Sequence, residues 1–275
     1  MTQPSDNIAV REELLLGRRM LTARFRVSPP HTLGAGARLA LSSSSNAIYH
    51  LVSGWAFRFR DFPDGHQAIV EIYLPGDLIG LERVLFPWTE ACVMSLTSVT
   101  MKVIDVKDGL IDLMSRRSTA LYVAWLLSRG QRRSDRLLSA ISGLDARGRL
   151  ATMVLDFYKR LRRQKLIMGS TYHLPLTQIQ IGAYLGLTVA HVNRVLRSFR
   201  DEEIAQLEKH CVTILDLERL LKLAQNGPIA SSPGVLEGRL TNEPISLYAH
   251  PLQISGIPSS QDLPHATAGV SRAPF

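Results

Sequence analysis

The stretch Leu176-Thr177-Gln178-Ile179-Gln180-Ile181-Gly182-Ala183-Tyr184-Leu185-Gly186-Leu187-Thr188-Val189-Ala190-His191-Val192-Asn193-Arg194-Val195-Leu196-Arg197 carries two short apolar-periodic segments around one glycine. Ile181, Leu185, Leu187, Val192 and Val195 fall where two helices crossing at a sharp angle must touch. Gly182 is small where those helices approach most closely. Gly186 falls where the chain must turn, a place that favours positive φ. Thr188 is then suited to cap the next helix, because its hydroxyl can accept a free backbone N–H of the first turn. The spacing predicts a helix-turn-helix.

The second helix, expected over Thr188–Phe199, exposes Ala190, His191, Asn193, Arg194 and Arg197. Arginine can give guanine O6 and N7 two parallel hydrogen bonds, and asparagine can pair with adenine N6 and N7. A His-x-Asn-Arg cluster at the start of such a helix therefore suits the DNA major groove. A plain helical hairpin with a polar face is the structural alternative. Beyond it, Ile204–Leu207 and Val212–Leu215 flank Glu208-Lys209-His210, which predicts a two-stranded wing. Asp216 would cap a last helix, Leu217–Ala224. Lys209 and His210 at the wing tip suit phosphate contact, though a solvated turn explains them equally.

Upstream, no proline occurs from Asp108 to Lys165. Apolar spacing predicts a long helix over Ser118–Ile141 and a second over Asp145–Gln164. The second presents Leu150, Val154, Phe157 and Leu161 on one face, with Lys159, Arg160, Arg162 and Arg163 mostly directed elsewhere. Residues 20–106 read as strands and turns instead. Ala56-Phe57-Arg58-Phe59-Arg60 alternates with the period of a half-buried strand. Asp64-Gly65 and the run Ala68–Leu74 make it half of a hairpin. After the turn Pro75-Gly76-Asp77 come further strands at Ala91–Leu96 and Val99–Val106. Many short strands with regular turns indicate a small β sandwich or barrel.

Composition narrows the classes. The chain has 275 residues, 45% of them apolar, which is enough to bury real cores. No apolar run reaches the ~18 residues of a membrane-spanning helix. Met1–Glu13 carries Asp6, Glu12 and Glu13 and does not read as a secretory signal. A cytoplasmic protein with no membrane partner is expected. The net charge of +8 is unevenly placed: residues 1–114 hold 11 basic and 12 acidic side chains, residues 115–225 hold 19 and 9, and residues 226–275 hold 2 and 3. A concentrated basic segment is a nucleic-acid footprint, although a solvated arginine-rich surface has the same composition. The last 50 residues contain 7 Pro, 5 Gly and 7 Ser and read as a disordered tail.

These residues resemble the Crp/Fnr family of bacterial transcription regulators. Leu176-Thr177-Gln178, Tyr184-Leu185-Gly186-Leu187-Thr188, His191-Val192-Asn193-Arg194 and Thr213-Ile214-Leu215-Asp216 are similar to the family's DNA-binding signature. Tyr49-His50-Leu51-Val52-Ser53-Gly54, Asp64-Gly65 and Leu74-Pro75-Gly76-Asp77-Leu78-Ile79-Gly80 are similar to its β-roll. Together they cover about residues 20–224. The resemblance implies an α+β chain: an N-terminal double-stranded, jelly-roll-like β-roll, a long dimerisation helix and a C-terminal winged helix-turn-helix. It divides the sequence into an N-terminal helix or arm (1–19), the sensor-like β-roll (20–107), the dimerisation helix region (108–142), the DNA-binding domain (143–225) and the tail (226–275). It also implies a homodimer that reads palindromic double-stranded DNA at promoters, with RNA polymerase as a partner where it activates. Gln178, Thr188, Ala190, His191, Asn193, Arg194, Arg197 and Lys209 are then the DNA-binding residues. Arg194 matches the family's base-reading arginine, whereas Ala190 stands where the family often has glutamate, so the half-site sequence does not carry over.

The sensor half departs from the family's cyclic-nucleotide pattern. Around the expected pocket stand Gly76, Gly80, Leu81, Glu82, Thr89 and Glu90, with Leu81 in place of a ribose-binding glutamate and Thr89-Glu90 in place of an Arg-Ser or Arg-Thr pair. A cyclic phosphate would meet Glu90 rather than an arginine, unless Arg83 substitutes from an unexpected place. The iron–sulfur branch needs four cysteines, and this chain has Cys92 and Cys211 alone. His31, His50 and His66 read as turn or surface residues rather than haem ligands. Cys211, beside Lys209 and His210, is a candidate redox-sensitive thiol or a small half-buried wing residue. No cofactor and no metal are expected. A regulator without a small-molecule effector, controlled by its abundance, is the leading reading of its regulation. A β-roll protein that binds a cyclic nucleotide or other ligand is the alternative. A cupin-like metal enzyme lacks its His-x-His pair, and no nucleophile elbow or phosphate loop supports another enzyme.

Overall fold

The computed structural model describes residues 4–39, 47–84 and 92–225. Thr89, Glu90 and the tail 226–275 lie outside the described residues. The chain opens with helix α1 (Pro4–Arg26) and then forms eight antiparallel strands: β1 (Pro30–Leu33), β2 (Arg38–Leu39), β3 (Ala47–Ser53), β4 (Ala56–Asp61), β5 (Gln67–Tyr73), β6 (Leu78–Ile79), β7 (Cys92–Ser95) and β8 (Val99–Asp105). They make two four-stranded sheets, ordered β1-β8-β3-β6 and β2-β7-β4-β5. Leu51, Ile79, Val99 and Met101 of the first sheet meet Ala56, Tyr73 and Val93 of the second in one buried cluster. The two sheets thus close face to face around an apolar interior.

The Asp64-Gly65 signal produces its hairpin. Gly65 takes φ +83°, and β4 pairs with β5 through a bulge between Arg58 and Phe59. The first strand begins later than expected. Residues 20–26, read from sequence as the start of the β region, continue helix α1 to Arg26. Leu21 and Phe25 bury against Tyr122, Val123 and Ile104, and that packing outweighs the strand-like alternation of Arg24-Phe25-Arg26. Gly17 permits the close contact, since a Cβ there would lie 2.0 Å from the Ser118 carbonyl oxygen.

After a π-helical turn (Val106–Ile111) and the short α2 (Asp112–Met114), the long α3 runs over Arg117–Gly143, and α4 follows over Ala146–Arg163. Asp145 caps α4 by accepting the Gly148 N–H at 2.8 Å. The remaining elements are β9 (Thr171–His173), α5 (Gln178–Leu185), α6 (Val189–Asp201), β10 (Ala205–Glu208), β11 (Cys211–Ile214) and α7 (Leu217–Gln225). Among the described residues no helix is long and apolar enough to cross a membrane.

The second sheet's outer face continues into the helical half. Trp55, Phe57, Phe59, Ile69 and Ile72 share one cluster with Phe157, Leu161, Ile181 and Leu185. Phe157 meets Trp55 edge-on at 5.5 Å. A charged junction crosses the same boundary. Arg160, read from sequence as directed away from the core, is only 8% exposed; it bonds Asp77 at 2.5 Å and the Ile72 carbonyl at 2.8 Å. Arg133 of α3 reaches Asp77 at 3.3 Å and Glu71 at 2.6 Å. Arg58 joins Glu71 to Glu82, both at 3.2 Å. Burial alone would raise the Asp77 carboxyl, but Arg160, then Arg133 and Arg129, override it and hold it well below the usual carboxylate range.

Candidate nucleic-acid interface

Each end of the two-helix unit is fixed locally. Thr177 and Gln180 form a reciprocal capping box at the start of α5, the Gln180 N–H reaching the Thr177 hydroxyl at 3.2 Å and the Thr177 N–H reaching Gln180 Oε1 at 2.9 Å. Gly186 ends α5 in the left-handed conformation, φ +64° and ψ +41°. The returning Leu187 N–H then bonds the Gly182 carbonyl at 3.0 Å. A Cβ on Gly182 would lie 2.5 Å from the Leu187 carbonyl oxygen, so the turn closes only over glycine. Arg149 of α4 holds the same corner, donating to the carbonyls of Leu185 and Gly186 at 3.3 and 3.4 Å. A cation at the C-terminal carbonyls of a helix is favourably placed.

Thr188 starts α6 as its N-cap, accepting the His191 N–H at 3.3 Å. Val192, Val195 and Phe199 point inward and are buried. Ala190, His191, Asn193, Arg194 and Arg197 lie on the opposite, exposed face. All five therefore share one solvent-facing surface, and Arg194 and Arg197 have no ion-pair partner among the described residues. The helix runs two residues beyond its expected end, to Asp201. Just past it Glu202 receives Arg147 at 2.5 and 2.8 Å, Ser198 at 2.6 Å and Arg219 at 3.1 Å. The side-chain bonds from Arg147 and then Ser198 bring the Glu202 carboxyl down to about 2. Three helices are tied together there, which fixes the far end of α6.

The wing has three strands, ordered β10-β11-β9, rather than the two read from sequence. Strand β9 escaped because three residues carry no usable period. Its signals are the β-forming Thr171 and Tyr172 between Gly169 and Pro175. Tyr172 is buried and donates its hydroxyl to the Val154 carbonyl at 3.0 Å, binding the wing to α4. Lys209 and His210 form the tip with φ of 47° and 61°, the pair of positive values that a tight two-residue hairpin turn uses. Lys209 is exposed, and so is Cys211, which is paired in register with His173 and is not the half-buried residue that sequence allowed. Gln178 is exposed at the start of α5, on the same unit.

Of the expected effector residues, Gly76, Gly80, Leu81 and Glu82 lie among the described ones. Gly76 and Gly80 both take φ +87° in turns on either side of β6. Leu81 is buried in the cluster facing α1 and α3, and Glu82 is paired with Arg58. Of the three β-domain histidines, His31 and His66 are exposed, the latter bonded to Asp64. His50 instead packs its ring 5.3 Å from Phe25, and burial brings it down to about 4, so it is neutral.

A two-sheet β domain, a long helix and a winged helix-turn-helix with a polar, exposed second helix define a DNA-binding transcription regulator. Residues 148–223 match the Crp-like helix-turn-helix domain. The chain is 26% identical over 182 residues to an anaerobic regulatory protein of Haemophilus influenzae, covering 66% of this chain and 70% of that one. It is also 26% identical over 207 residues to the transcriptional regulatory protein btr of Bordetella pertussis, covering 74% and 82%. The solved structure of FixK2 from Bradyrhizobium japonicum superposes with a TM-score of 0.65 at 20% identity, covering 72% of this chain and 97% of that one. Residues 148–223 thus carry a Crp-like helix-turn-helix domain, and over about two thirds of its length the chain is similar to bacterial transcription regulators.

Proposed function

We propose that the protein is a homodimer whose two α6 helices read the half-sites of a palindromic promoter sequence, activating or repressing according to where that site lies relative to RNA polymerase. The observation that carries this reading is the sidedness of α6. Val192, Val195 and Phe199 anchor it, and His191, Asn193, Arg194 and Arg197 face outward together. In this reading Arg194 selects a guanine, Asn193 and His191 address neighbouring bases, Gln178 and Lys209 lie along the backbone, and Thr188 supports the start of the reading helix. The side chain of Ala190 offers only apolar contact, as to a thymine methyl.

The long helix supports the dimer. Leu127 and Leu138 of α3 are 40% and 65% exposed. They are eleven residues apart, three helical turns, and so lie on one face with Ala124. A second copy packed along that stripe would cover them and place the two reading helices about one DNA turn apart, ~34 Å. Activity on DNA places the protein in the cytoplasm. Because Glu71, Asp77 and Glu82 are already paired with the protein's own arginines, we assign no small-molecule effector to the β domain.

The test is selection of bound fragments from random DNA with the full chain. The expected product is an inverted repeat with half-site centres 10–10.5 base pairs apart, or a multiple of that. Enrichment of a single unrepeated element would refute the dimeric reading, and no enrichment would refute sequence recognition altogether.

A further inference from the structure

The start of α6 contains a hydrogen bond that decides what His191 can read. Thr188 Oγ1 lies 3.1 Å from His191 Nδ1, and the same oxygen accepts the His191 backbone N–H at 3.3 Å. A threonine hydroxyl has one hydrogen to give and two lone pairs, and a neutral imidazole has one donor and one acceptor nitrogen. With the backbone N–H already on one lone pair, the hydroxyl hydrogen is satisfied by pointing at Nδ1. The opposite arrangement would place both N–H groups on the hydroxyl's two lone pairs and leave its hydrogen without an acceptor on His191. We propose that Thr188 sets the hydrogen-bonding sense of His191, so that Nε2 carries the proton and selects guanine at one position of the half-site. This rests on the reading that His191 faces a base edge.

The chemistry of the major groove supplies the selection. Guanine presents only acceptors there, N7 and O6. Cytosine presents only its N4 donor, adenine places a donor beside its acceptor, and thymine offers the single acceptor O4 beside a bulky methyl group, against guanine's two adjacent acceptors. An outward Nε2–H is therefore best met by guanine and is rejected by cytosine. The ring cannot turn over to escape this, because a flip would put a carbon where Nδ1 meets the hydroxyl. Thr188 is thus a positioning residue, acting on DNA through its neighbour, and its second bond is separate from its capping of α6.

The experiment uses the full-length chain and a DNA pool randomised across one half-site. Wild type, Thr188→Ser, Thr188→Val and His191→Ala are compared by the ratio of bases recovered at each position. His191→Ala is expected to erase a guanine preference at a position other than the one Arg194 controls. Thr188→Val, which keeps the shape and loses the hydroxyl, is expected to lower the same preference on the order of tenfold and leave the Arg194 position unchanged. Thr188→Ser is expected to retain it. If His191→Ala relaxes a position but Thr188→Val does not, the proposal falls and the base-reading role of His191 stands. A preference for cytosine, adenine or thymine at the His191 position overturns the proposal as well. So does relaxation of both positions by Thr188→Val, which would mark the loss of a helix cap rather than of a proton donor. If His191→Ala changes no position, the proposal falls together with the base-reading role on which it rests.

Discussion

The protein uses arginine in two regions for opposite ends. At the junction between the β domain and the helices, Arg133 and Arg160 are 18% and 8% exposed, and each is matched by a carboxylate within 3.3 Å. On α6, Arg194 and Arg197 are exposed and, among the described residues, have no carboxylate partner. A guanidinium taken out of water loses its hydration and is tolerated only where carboxylates and carbonyls replace it. One left in water keeps its hydration until a phosphate or a guanine replaces it. The junction charges are therefore committed to holding the two halves together, and those on α6 remain in solvent. Net charge does not distinguish them, because both groups belong to the same +10 segment.

Removing the shared carboxylate should produce the largest effect. Asp77→Ala takes from Arg133 and Arg160 the buried carboxylate they share, leaving Arg133 with Glu71 and Arg160 with Asp156 and the Ile72 carbonyl, a change worth up to ~3–5 kcal/mol of stability. A melting temperature lowered by several degrees in thermal denaturation is the expected outcome, with DNA affinity reduced alike for every sequence. Because the Asp77 carboxyl is held low, the junction's contribution is complete above the ordinary aspartate range near pH 4 and is lost only as acid drives the pH down through the lowered value. An Asp77→Ala protein as stable as wild type would mean that the apolar cluster around Phe157 holds the halves together without the charges.

This division also marks the limit of what the sequence revealed. The reading unit was legible because its rules are local. Gly186 must turn left-handed, Gly182 must admit the Leu187 carbonyl, Thr188 must cap, and all lie within seven residues. Arg160 was misread because its partner Asp77 is 83 positions away. A helical period identifies which side chains share a face; it cannot identify a carboxylate on a distant strand. The same limit hid strand β9, whose pairing with β11 spans about forty residues, and the packing of Leu21 and Phe25 that extends α1. Wing tip and last helix, both set by neighbours in sequence, formed where expected, from Lys209-His210 and from Asp216.

Arg194→Ala sharpens the contrast from the other side. No partner among the described residues is lost, so stability measured by thermal denaturation should stay within about half a kcal/mol of wild type. Discrimination at one base pair should fall by ~1–3 kcal/mol. The measurement is the ratio of affinities for the best site and for that site changed at one position. An unchanged ratio would remove Arg194 from base reading and return it to the class of exposed surface charges.

The smallest expected effect belongs to Lys209, and it separates affinity from choice. Its exposed place at the wing tip suits a phosphate. A lysine on phosphate releases about one counterion, so Lys209→Ala should weaken binding to all sequences alike and reduce the slope of log affinity against log salt by about 1. Sequence preferences should be preserved. If Lys209→Ala shifts the preferred half-site while the salt slope stays constant, the wing reads bases, and the separation between a reading helix and a positioning wing fails.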